Sequence, residues 1–185
     1  MPSQPTILTL GPSHAEVIFY LPTPPILPPN WHHNHLNAIT DIIALNGNHW
    51  RKIVTIMAKI CCRHADLSAN KGGAWKPIRQ GLLQDISPQS LAHRLSCQIQ
   101  IIPDQLSHAT EPLFNPKCWH IVCGKETQQR LGLHTIEHTQ TVDVNNKIQR
   151  QQTCLLTPYL DYRQYANALI ETTRQLIASE DLSLN

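Results

Sequence analysis

Three clusters of residues could do chemistry. The first is His32-His33-Asn34-His35. Three imidazoles in four residues match the ligand types of a zinc site, with Asp41, His49 or His64 available as a fourth group. The spacing lacks the i,i+4 pairing of a helical two-histidine site, and no glutamate accompanies it as a general base. The chain holds 11 His, so a chance cluster is expected. His32, His33 and His35 are therefore the candidates for a metal, and no cofactor is expected.

The second cluster is Cys61-Cys62-Arg63-His64, and the third is Cys118-Trp119-His120. A thiol beside an imidazole can act as a nucleophile with its base. Neighbouring residues on one strand point to opposite faces, so the first run cannot converge as a whole. A Cys/His-dependent small enzyme would use Cys62 or Cys118 with His64 or His120. Cys61 and Cys123 read instead as small buried hydrophobes. Gly72-Gly73 lacks the Lys-Ser or Lys-Thr continuation of a phosphate loop. Carboxylates are few and scattered, which argues against glycosidase and two-metal chemistry. No catalytic residue is assigned.

The elements that must position these residues are those of one domain. The 185 residues, 41% hydrophobic, are enough for a core. Charged residues make up only 15%, and the net charge is +2. No basic face or run marks a nucleic-acid binder, so no direct nucleic-acid contact is expected. No apolar run has the length of a membrane span or a signal segment. The six Cys are expected as free thiols in a reduced, cytoplasmic setting.

The unit 15–58 reads as strand, helix, strand. Residues 15–21 form the first strand, 35–45 a helix stopped by Asn46-Gly47-Asn48, and 52–58 a second strand. Between them, five prolines in 22–29 predict a stiff extended crossing. Residues 1–13 are a tail or edge segment in which Ile7, Leu8 and Leu10 are the anchors, ahead of a single domain over 14–180. Residues 63–77 read as a loop. Strands are expected over 98–102, 117–124 and 148–156, with an extended stretch over 128–133 and an edge strand over 139–144. A long amphipathic helix opens at Thr157-Pro158 or Asp161 and carries Leu169, Ile170, Thr173 and Ile177 on one face. The expected fold class is α/β, a mostly parallel or mixed sheet of about four or five strands flanked by helices.

Leu156-Thr-Pro-Tyr-Leu160 followed by Leu169-Ile-Glu-Thr-Thr-Arg-Gln-Leu-Ile177 resembles the end of the bacterial DNA polymerase III psi subunit family. Val17 to Leu21, Leu36 to Leu45, Ile53 to Met57 and Cys118-Trp-His-Ile-Val-Cys-Gly124 are similar to its earlier elements. The resemblance implies a non-catalytic accessory subunit of the replication machinery that links the clamp loader to a chi-like subunit. Trp31 and Trp75, in loops, and the apolar N-terminal residues Ile7, Leu8 and Leu10 are the expected protein contacts.

Overall fold

A computed structural model describes residues 6–63, 73–87, 93–106, 114–133 and 139–180. Among the described residues seven strands form one mixed sheet, and four helices accompany it. The strands are β1 (Leu8–Leu10), β2 (Val17–Leu21), β3 (Cys97–Ile101), β4 (Trp119–Cys123), β5 (Gln140–Thr141), β6 (Gln149–Gln151) and β7 (Cys154–Thr157). The helices are α1 (Ala38–Cys61), α2 (Trp75–Gln80), α3 (Lys125–Arg130) and α4 (Asn167–Ser179).

The sheet order is β1-β3-β2-β4-β7-β6-β5. Its centre, β3-β2-β4-β7, is parallel, and antiparallel strands close both sides. The chain leaves β2 to one side to make β3. It then crosses back past β2 to make β4 and continues outward to β7. Strand order therefore reverses between β2 and β4.

One face of the sheet (Val17, Phe19, Leu21, Ile99, Ile121, Leu155) packs into a large apolar core with residues of α1, α2 and α4. Tyr20, Ile102, Val122, Cys154 and Leu156 form a smaller cluster, against which Leu131 and Leu133 pack after α3.

The expected strand over 52–58 is helix. Gly47 (φ 65°, ψ −146°) breaks the helical geometry where Asn46-Gly47-Asn48 predicted a stop, and the chain resumes as helix to Cys61. Trp50, Ile53, Val54, Met57 and Cys61 recur at three and four along it. Thr55, Ile56, Ala58 and Ile60 are buried too. A helix buried nearly all round gives the same continuous apolar run as a central strand. The break is tied down by Asn46, whose amide accepts from the Ile26 N–H (2.8 Å) and donates to the carbonyls of Ile26 (2.9 Å) and Ile42 (2.8 Å).

Three further expectations change. Residues 125–130 are helical where 128–133 read as extended. The expected strand 148–156 is a tight hairpin, β6 and β7, turning at Gln152 (φ 53°). The last helix begins only at Asn167. Asp161 instead organises a separate turn, accepting the Arg163 N–H on its side chain and the Gln164 and Tyr165 N–H groups on its carbonyl. The N-terminal segment is an edge strand, since β1 pairs with β3.

Candidate functional site

The short helix α3 decides what happens at the carboxyl ends of the parallel strands. Gly124, which precedes it, takes φ 83°, and a Cβ there would lie 3.2 Å from the Tyr159 side chain. Only glycine turns the chain this sharply while the ring packs on it. The side chains of α3 then reach back to all four parallel strands. Thr127 Oγ1 donates to the Cys123 carbonyl at the end of β4 (2.7 Å). Gln128 Nε2 donates to the Thr157 carbonyl at the end of β7 (3.0 Å). Arg130 Nη1 donates to the carbonyls of Pro22 after β2 (2.7 Å) and Ile102 after β3 (2.6 Å). Glu126 and Asp104 balance the guanidinium charge.

Beside this staple lies a cleft of about 790 Å³. Pro22 and Thr23 from the end of β2, Cys123 and Gly124 from the end of β4, and Thr157 to Tyr159 after β7 line it. It thus opens where the strand order reverses. Its floor is apolar, with Pro22, Cys123 and Leu156 buried. Lys125, Lys147 and Arg163 stand around it, on α3, the β5–β6 turn and the loop after β7. Glu126 is the lining carboxylate, and Arg130 pairs with it. Asp143 shapes the β5–β6 turn by accepting N–H bonds from Asn145, Lys147 and Ile148.

One wall is His49 stacked on Tyr159 (5.8 Å between ring centres), with Nε2 and the phenol oxygen 2.9 Å apart. Burial pushes the Tyr159 phenol up to about 12, helped by the negative charge that Cys123, Glu126 and Asp161 would carry. The phenol is therefore neutral at neutral pH. Cys123 offers no nucleophile, because full burial raises its thiol far above the ordinary value.

The structure does bring Cys118 and His120 together. They are two residues apart, share one face, and place Sγ 3.4 Å from Nε2. His120 Nε2 also lies 2.9 Å from the Asn115 carbonyl, which can only accept. That contact puts the ring proton on Nε2, and Nδ1 accepts from the Tyr20 hydroxyl (2.9 Å). Nε2 is then committed as a donor and is not a base for Cys118. Burial raises the Cys118 and Tyr20 pKa values and lowers that of His120, whose bond to Asn115 acts in the opposite sense. The group is a neutral, satisfied network beneath Phe114, whose ring meets His120 edge-on. Cys62 is buried and its proposed partner His64 lies outside the described residues.

His32 stacks on His33 (4.3 Å) and lies 5.9 Å from His35. Polar bonds hold this loop to residues 84–85. Asn34 exchanges two hydrogen bonds with Asp85, and His33 Nε2 is 3.5 Å from Asp85. Among the described residues no group of three or more His, Cys, Asp or Glu is placed to hold a metal ion.

Most of the expected protein contacts are engaged within the fold. Trp31 is half-buried, and its Nε1 donates to the Ala38 carbonyl, fastening the start of α1. Trp75 opens α2, packs on the core and carries Lys59 and Arg79 over its ring at 5.4 and 5.3 Å. Leu10 is buried, Ile7 packs on the smaller cluster and Leu8 is exposed. Among the described residues no helix is long and apolar enough to cross a membrane.

The sequence reading missed Lys125, Lys147, Arg163 and Tyr159 as a group. One signal was present, Gly124 followed by Lys125 where the expected strand 117–124 ends. No curated protein and no solved structure matches the chain. A family model described as a family of unknown function, DUF6942, matches residues 8–178, and the chain belongs to that family.

Proposed function

We propose that this DUF6942 chain is a small-molecule-binding α/β module and that the cleft at the carboxyl ends of β2, β4 and β7 is its binding site. The carrying observation is position. In open α/β sheets, ligands bind outside the carboxyl ends of the strands where strand order reverses, and the 790 Å³ cleft lies at that point. Its volume and its apolar floor with polar rim fit a small organic ligand. The neutral Tyr159 and the buried Cys123 thiol support binding rather than covalent chemistry.

Amide-resolved NMR with a mixture of neutral and anionic fragments tests this. Shifts gathered at residues 22–23, 123–128 and 156–159 are the expected result. Shifts confined to other surfaces, or none at all, would overturn it.

A second reading has its own support. Ile26 (65% exposed), Leu36 (86%) and Leu45 (46%) leave apolar surface on the proline crossing, the turn before α1 and the first half of α1. That surface suits a protein partner. The accessory-subunit role implied by the resemblance to the psi family, with a clamp-loader or chi-like partner, would use it. An affinity pull-down from the native host at moderate salt should recover such a partner with the parent chain and lose it with Leu36→Glu. Recovery of no replication protein by the parent chain would sink this reading.

A further inference from the structure

We propose that the ligand of this cleft is an organic phosphate, held with its phosphate between Lys125 and Lys147 and its carbon body on the floor of Pro22 and Leu156. The inference rests on reading the cleft as a ligand site and adds the ligand's chemical class.

Charge carries the first half. The chain holds 15 Lys and Arg and is short of charge overall, yet three of them line this one cleft. The lining carboxylate, Glu126, is engaged by Arg130. Among the carboxylates of the described residues Arg163 reaches Asp161 alone, at 3.6 Å, and Asp161 is already bound to Lys52 at 2.7 Å. Lys125 and Lys147 have no carboxylate partner among the described residues, and both are exposed. Two segments, α3 and the β5–β6 turn, thus bring lysines to one concavity with no carboxylate paired to either among the described residues. A phosphate monoester brings roughly two negative charges and three acceptor oxygens. It therefore answers more of this positive charge than a single carboxylate would.

Volume carries the second half. Inorganic phosphate would leave most of 790 Å³ empty. The remainder of the cleft borders Pro22, Leu156, Pro158 and the Tyr159 ring beside neutral polar side chains such as Gln128 and Gln149, which favours a ring-bearing body with hydrogen-bonding groups over a second charged group.

The test compares phenyl phosphate and adenosine monophosphate with phenol, adenosine and inorganic phosphate, each titrated into the full chain and followed by amide NMR. Both esters are expected to bind more tightly than their dephosphorylated forms and than inorganic phosphate, with shifts at residues 123–128 and 156–159. The Lys125→Ala/Lys147→Ala double variant should bind the esters about tenfold more weakly, the scale of one charge-assisted hydrogen bond. Lys117→Ala, at the opposite end of the sheet, should bind them unchanged. Equal binding of the dephosphorylated forms at the cleft, or an unchanged double variant, overturns the phosphate assignment and leaves the cleft as a ligand site. If neither these probes nor neutral fragments shift the cleft residues, the ligand-site reading itself falls.

Discussion

The two ends of the parallel sheet use charge in opposite ways. At the amino end most of the charges are spent within the fold, Lys117 being the exception. Glu16 accepts from the Ser96 N–H (2.8 Å) and pairs with Arg63. Arg174 donates twice to the Cys62 carbonyl and pairs with Glu171. Arg150 lies over Trp119 and pairs with Glu180 at 2.6 Å. A pocket of about 460 Å³ at this end is thus walled largely by paired groups, Glu16 with Arg63 and Arg174 with the Cys62 carbonyl. At the carboxyl end only Arg130 is turned inward to backbone carbonyls, while Lys125 and Lys147 face the cleft. One end is closed by its polar groups, and the other is left with cations to offer. Functional sites commonly carry such uncompensated groups at some expense of stability.

The strongest way to break this comparison is to remove the inward charge from the carboxyl end. Arg130 is mostly buried and binds two carbonyls and two carboxylates. Arg130→Ala leaves all four without it, and a loss of about 3 kcal/mol is expected from urea unfolding. A loss under about 1 kcal/mol would show that α3 does not hold the four strand ends together.

A smaller effect sharpens the contrast. Glu16→Ala removes the acceptor for the Ser96 N–H between β2 and β3 and should cost about 1 to 2 kcal/mol. Lys125→Ala should change stability by no more than about 0.5 kcal/mol, because its ammonium has no anionic partner to lose. Similar losses from both substitutions would erase the difference between the two ends.

What the sequence revealed follows the same physics. Strands β2, β3 and β4 were legible because short apolar runs were bounded by proline, polar turns or glycine. The α/β class followed from them. The run 52–58 was misread because Ile53, Val54, Ile56 and Met57 are buried on several sides, which hides the period that separates helix from strand. Helix α3 was missed because Lys125, Glu126, Gln128 and Gln129 carry no apolar stripe. Its helix is held by hydrogen bonds from Gln128 and Arg130 to strand ends distant in sequence. The Cys118–His120 pair was legible from its spacing, but its inactive proton arrangement depends on the Asn115 carbonyl and Tyr20, which no local pattern reveals. The cleft was the least legible feature, since its cations come from three segments that only the sheet order brings together.

The finest probe of the comparison is acid, applied to the amino end. The Arg150 guanidinium holds the Glu180 carboxyl below its ordinary 4.5. A depressed carboxyl contributes stability that is fully present above the unfolded value and is lost as pH falls through the folded one. Both partners keep some contact with water, with side-chain exposures of 19% and 40%, so the contribution at pH 7 should be about 0.5 kcal/mol or less. A double-mutant cycle of Arg150→Gln and Glu180→Gln, followed by urea unfolding, should show this coupling at pH 7. It should fade as the pH falls through the lowered value of the folded carboxyl, where Glu180 gains its proton. Coupling undiminished by acid would mean that contact between the Arg150 and Glu180 side chains, independent of charge, joins β6 to the end of α4. The amino end would then be closed by contact area, and paired charge would cease to be what separates it from the cleft.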